Sequence, residues 1–248
     1  MMLIGIFAFI VIAAISGFYY QHFGHVPVEF SKEQEVWGQF GDYFGGTLNP
    51  ILSFISIILL IRSVTLQVAA NKSIIDENKR QEKLDLQKGF EAKFYNMIEA
   101  QKSAFDDFHI ILSTPKGNKK HDGAEAVSKV EDLIKICLSH GVTGTAISQV
   151  LQNLDDNSGD KIYSFIRRYY LLVKVVDIES KKSNEFNFEK QKEYFEILVN
   201  YSDFAAVRLL CISLYYYEWE NVKFINSSAA FKHVLDNSGM VEYMADLK

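Results

Sequence analysis

The sequence predicts an all-α protein: an N-terminal two-helix transmembrane hairpin, followed by a long helix and a helical cytosolic domain. Three observations carry this. Residues 1–20 and 43–61 contain no charged side chain. Residues 62–112 hold no proline and a single glycine, Gly89, while Phe90, Phe94, Met97, Phe105 and Phe108 recur at helical spacing. Strand-like alternation is scarce throughout.

The first span, 1–20, is long enough to cross a hydrocarbon core of about 30 Å at about 1.5 Å per residue. Ala14-Ile15-Ser16 has the small residues of a signal-peptide cleavage site, but the stretch lacks a basic leader and is long for such a peptide, so an uncleaved anchor is expected. The second span, 43–61, ends at Arg62, and its half from Ile51 to Ile61 is strongly apolar. The loop between them carries Glu29, Glu33, Glu35 and Asp42 against Lys32 alone, whereas Arg62, Lys72, Lys79 and Arg80 follow the second span. The positive-inside rule then places both termini in the cytoplasm, and the short loop outside.

Residues 63–112 read as a long membrane-proximal helix. Its portion from Asn71 to Lys88 is mostly polar, with Asp76 near Arg80 and Asp85 near Lys88. Its heptads are too irregular to set an oligomeric state. Ser113 to Gly123 reads as a loop by composition. Residues 124–248 read as the helical cytosolic domain, with helices near 124–140, 160–177, 188–200, 203–220 and 228–246 and a core rich in Tyr and Phe.

Composition narrows the function. With 26 basic and 31 acidic residues, a formal net of −5, the 248-residue chain is no general polyanion binder. Three prolines and fourteen glycines exclude collagen-like and Pro/Gly-rich disordered chains. Two cysteines, Cys137 and Cys211, form no disulfide framework and point to a reducing compartment. The phosphate-cradling GxxxxGK[ST] and GxGxxG patterns and HExxH are all missing. Cys137 and His140 have a C-x-x-H spacing without a second ligand pair, so a helix-terminal histidine is the better reading. Asp155 to Asp160 lacks the acceptor spacing and closing glutamate of an EF-hand, and a helix-capping loop explains it. Arg167, Arg168 and Arg208 have no histidine a few residues downstream, so the Arg/His pair of helical ribonuclease toxins is missing. Arg167 and Arg168 lie beside Tyr163, Tyr169 and Tyr170, either as a partner contact of the kind that holds nucleic acid or as solvent-seeking arginines over core tyrosines. No catalytic residue, cofactor or metal site is expected, and the protein reads as a non-enzyme.

The most unusual local feature is the mouth of the second span, Gly41-Asp42-Tyr43-Phe44-Gly45-Gly46-Thr47-Leu48-Asn49-Pro50. Gly41 and Gly45 repeat small residues at a spacing of four, as do Ala13 and Gly17 in the first span, which lets helices approach closely in lipid. Asn49 wants a partner in hydrocarbon, and Pro50 can start a helix or kink one. Gly41, Asp42, Gly45, Gly46, Asn49 and Pro50 are therefore candidates for helix packing, as a tight hairpin between the spans or between copies, or for gating.

At this motif the sequence resembles the phage abortive infection proteins of bacteria, including two-span membrane effectors found beside retrons. The likeness rests on Gly41 to Gly46, Leu48-Asn49-Pro50, Ser53-Phe54 and Leu66-Gln67. It continues through Phe94 to Ile98, Tyr163 to Arg168 and Tyr194 to Leu198, and departs from the family's Leu-Ser-acidic pattern at Tyr201-Ser202-Asp203. The resemblance implies an antiviral defence effector, a toxin in the bacterial inner membrane that stays silent until infection. In the retron branch its inhibitor would be a reverse transcriptase with its RNA–DNA product. Self-association is expected, since two spans cannot enclose a pore. The alternative is a membrane-tethered binding module whose spans only anchor it.

Overall fold

The structure, a computed structural model, describes residues 2–23, 33–115, 117–182 and 186–247. In chain order these form α1 (Met2–Phe23), α2 (Gln34–Asp106), β1 (His109–Thr114), β2 (Gly117–Asp122), α3 (Gly123–Ser139), α4 (Gly144–Asn157) and α5 (Lys161–Lys182). Then come α6 (Phe188–Tyr201), α7 (Phe204–Tyr216), α8 (Glu220–Ser227), α9 (Ala229–Asn237) and α10 (Met240–Ala245). Among the described residues the fold is all-α apart from one hairpin. Two compact units divide the chain, Met1–Lys83 and Leu84–Lys248.

In the first unit the apolar side chains face outward. Phe9 is 73% exposed on α1 and Phe54 64% exposed on α2, and neither candidate span is buried. Among the described residues two helices are long and apolar enough to cross a membrane, which marks the protein as membrane-associated. A third crossing would need α6 and α7 to act as one broken span, but the chain turns by 117° between them and both supply core residues. Helix α2 begins at Gln34, earlier than the second span read from sequence, so Glu35 and Asp42 belong to a helix rather than a loop. Aromatic spacing explains the early start: Trp37, Phe40 and Phe44 recur every three or four residues, and Phe40 meets Tyr19 of α1 with ring centroids 4.9 Å apart. Glu29 and Lys32 of the expected loop lie outside the described residues.

The second unit has a conventional core. Phe90, Phe94, Ile98 and Phe105 bury one face of the end of α2. Tyr194 of α6 packs edge-on against Phe90 and Phe94, and the ring of Phe165 of α5 lies tilted against Phe105 and Phe108. Helix α7 is buried over most of its surface, from Ala205 to Ser213, because nearly every residue there is small or aliphatic. Around it α6 packs on α9, α5 on α8, and α3 on α7.

Four local expectations are corrected. The segment 113–123, read as a loop, is mostly a strand pair in which Ile110 faces His121 and Thr114 faces Gly117; β1 also takes the end of the range assigned to the long helix. Composition concealed this, since Asn118, Lys119 and Lys120 stay in water while Ile110 and His121 are buried. Ile111 N–H also donates to Ser158 Oγ at the end of α4, an anchor outside the reach of local patterning. Helix α4 was not anticipated, although Ile147, Leu151 and Leu154 have helical spacing. The expected helix 203–220 ends at Tyr216, and α8 is a separate element. The expected helix 228–246 breaks into α9 and α10 at Gly239, whose φ of +81° is a conformation glycine adopts without a side-chain clash.

Candidate functional site

The membrane-helix mouth lies wholly within α2. Pro50 is inside the helix, so the Gly46 carbonyl lacks the N–H that any other residue at position 50 would donate to it. A Cβ placed at Gly41 or Gly46 would meet nothing within 4 Å, and one at Gly45 only Asn49 Nδ2 at 3.8 Å. Gly17 of α1 is equally open. The glycines thus do not form a tight hairpin between the spans of one chain. Bulkier groups make that contact: Tyr19 lies against Phe40, Tyr43 and Phe44, and these rings hold the backbones apart. Asp42 and Asn49 are exposed and make no side-chain hydrogen bond among the described residues. Thr47, by contrast, satisfies its hydroxyl by donating to the Tyr43 carbonyl at 2.7 Å.

The second candidate, Arg167 with Arg168, borders an aromatic groove in the helical unit. Tyr163, Arg167 and Tyr170 fall four and three residues apart on one face of α5. With Trp219, Asn221 and Phe224 they line a groove of about 890 Å³. Both arginines are exposed and have no ion pair among the described residues; Arg167 lines the groove. Of the neighbouring tyrosines only Tyr169 is fully in the core, donating to Ser202 Oγ at 2.8 Å, and burial pushes its hydroxyl up to about 12. Tyr163 is 41% exposed. Tyr169 is thus a core tyrosine, while Tyr163 and both arginines stay at the surface.

Two tyrosines position the far wall. Tyr216 donates to the Leu247 carbonyl where α7 ends, and Tyr217 donates to the Leu151 carbonyl of α4 at 3.0 Å. Tyr217 then stacks on Trp219 with centroids 3.9 Å apart, and Tyr163 meets Trp219 edge-on at 5.0 Å. Asn221 is 9% exposed; its Oδ1 accepts from Val222 N–H, and its buried Nδ2 has no partner among the described residues. Glu220 is paired with Lys223 at 2.8 Å. Sequence reasoning missed Trp219 and Asn221. The aromatic run from Tyr215 to Trp219 was visible, but not that it would face α5.

The remaining motifs have structural roles. His140 Nδ1 bonds the Ile136 carbonyl at 2.8 Å and so closes the end of α3. The Asp155 carboxylate is fully buried and accepts from the N–H groups of Ile162 and Tyr163 at 2.6 and 3.0 Å, capping α5 from the preceding helix. Arg208 pairs with Glu131 at 2.8 Å, and Tyr243 donates to the same carboxylate at 2.8 Å, which ties α3, α7 and α10 together. Among the described residues no three His, Cys, Asp or Glu side chains approach closely enough to hold a metal. The groove offers hydrogen-bond donors and aromatic surface, which is the chemistry of binding. Comparison with known protein families, curated proteins and solved structures found no match to this chain.

Proposed function

We propose that this protein is a membrane-anchored effector of a bacterial anti-phage defence system, one that arrests its host by disturbing the inner membrane once released from inhibition. The observation that carries this reading is the open mouth of α2: a Cβ at Gly41 or Gly46 would meet nothing within 4 Å, and the amide of Asn49 has no partner among the described residues. An unpaired amide in hydrocarbon costs several kcal/mol, and small residues let a second helix come close enough to satisfy it. Self-association of α2 between copies meets both conditions. The resemblance of Gly41 to Pro50 to abortive infection proteins supports the defence role and the inhibitor of the retron branch, a reverse transcriptase with its RNA–DNA product. The charge asymmetry about the second span supports cytoplasmic termini.

The test is membrane potential, read with a voltage-sensitive dye in bacteria during induced expression, alone and with the neighbouring genes and phage. Early depolarisation that disappears in a Gly46→Leu variant still present in the membrane is the expected result. Arrest with the potential intact in every condition counts against it. The aromatic groove favours a second reading, a tethered binding module, in which the helical unit keeps its effect on an unrelated anchor.

A further inference from the structure

We infer that the groove between α5 and α8 binds a peptide segment of mixed charge, with an apolar anchor flanked by an acidic residue on one side and a basic residue on the other. Three observations lead there. First, two donors lack partners: the exposed guanidinium of Arg167 and the Nδ2 of Asn221, whose side chain is more than nine-tenths buried. A buried amide donor without an acceptor is costly, and turning the Asn221 side chain toward the groove it lines, where a carboxylate or backbone carbonyl can accept from it, relieves that cost. Second, the free charges are of both signs. Glu220 is neutralised by Lys223, which leaves Arg167 to attract an acid and Glu218 to attract a base. Third, the rings are engaged with one another. Trp219 is stacked on Tyr217 and met at 84° by Tyr163, and Phe224 is met at 81° by Tyr170.

These observations discriminate between two classes of partner. A nucleic-acid strand needs open ring faces for its bases and a uniformly basic track for its phosphates. This groove has no uniformly basic track, since Glu218 and Glu220 border it, and one face of Trp219 is already covered by Tyr217. A peptide supplies both charge signs, an apolar side chain for the ring edges and carbonyls for the amide of Asn221.

The chain has two tryptophans, so full-length protein carrying Trp37→Phe retains Trp219 as the sole tryptophan reporter in the groove. In lipid nanodiscs its fluorescence is titrated with a short amidated peptide bearing aspartate, leucine, phenylalanine and lysine in that order. Parallel titrations use the same peptide with the lysine replaced by aspartate, and an oligothymidylate. Saturable change with the mixed peptide is expected, with affinity about tenfold weaker in Arg167→Glu and recovered when the peptide's aspartate becomes lysine. Arg167 is exposed and makes no hydrogen bond or ion pair among the described residues, so this charge swap tests binding rather than folding. Saturation by oligothymidylate alone would assign the groove to nucleic acid, and an unchanged Trp219 signal with every probe would overturn the proposal. The titration is independent of depolarisation, so it stands or falls separately from the effector reading.

Discussion

The two units use the same residue types in opposite ways. Phe9 and Phe54 in the first are 73% and 64% exposed, whereas Phe94 and Phe195 in the second are both fully buried. Their polar groups differ as well. In the first unit the hydroxyls of Thr47, Ser56 and Thr65 each donate to the carbonyl four residues back, so a single helix satisfies itself. In the second, Tyr243 reaches Glu131, Tyr217 reaches Leu151 and Tyr194 reaches Glu91, each across a long stretch of chain. A helix in lipid finds an apolar solvent outside and must hydrogen-bond internally, while a helix in water must find its apolar contacts in other helices. The contrast is therefore one of solvent.

Substitutions that act on one unit and spare the other test that contrast. The largest effect is expected for Phe165→Ala, which empties part of an aromatic cluster with Phe105, Phe108 and Tyr169. It should lower stability by about 3–5 kcal/mol, against little change for Phe54→Ala, read by thermal unfolding in detergent. Equal effects would break the comparison. Next, Leu52→Lys puts a charge at mid-span and should oppose insertion by about 2.5–3.5 kcal/mol, seen as carbonate-extractable protein whose helical unit still resists proteolysis. Asp155→Ala leaves the buried N–H of Ile162 and the part-buried N–H of Tyr163 without their acceptor, and a loss of about 2 kcal/mol is expected, against almost none for the exposed Asp156→Ala. The smallest effect is chemical. Burial pushes the Cys211 thiol up to about 12, so it stays protonated at pH 8, and alkylation should reach the half-exposed Cys137 first. As pH rises toward that value the thiolate fraction of Cys211 grows, and the difference in labelling rate should narrow.

Much of the fold was legible because its signals are local. The uncharged runs of both spans, the spacing of Phe90, Phe94 and Phe105, and the starts of α3, α5 and α6 can each be read within a few turns of chain. The errors fell where a distant partner decides. β2 is polar and acquires strand structure only from pairing with β1, and the break at Gly239 permits Tyr243 to meet Glu131. At the candidate sites, the glycines of α2 and the arginines of α5 were visible as residue types. Their openness was not, because it depends on where Tyr19 and Trp219 pack.

Hydropathy and periodicity were thus sufficient for the helical class and for two segments able to cross a membrane, since each depends on residues near in sequence. Tertiary structure alone decided that Asp155 caps the next helix, that Arg208, Glu131 and Tyr243 share one cluster, and that Asn221 and Arg167 border one groove with unused donors. The physical reason is range. A helix is selected by interactions over three or four residues, while a cluster or groove is selected by packing between segments whose separation along the chain carries no signal of their meeting.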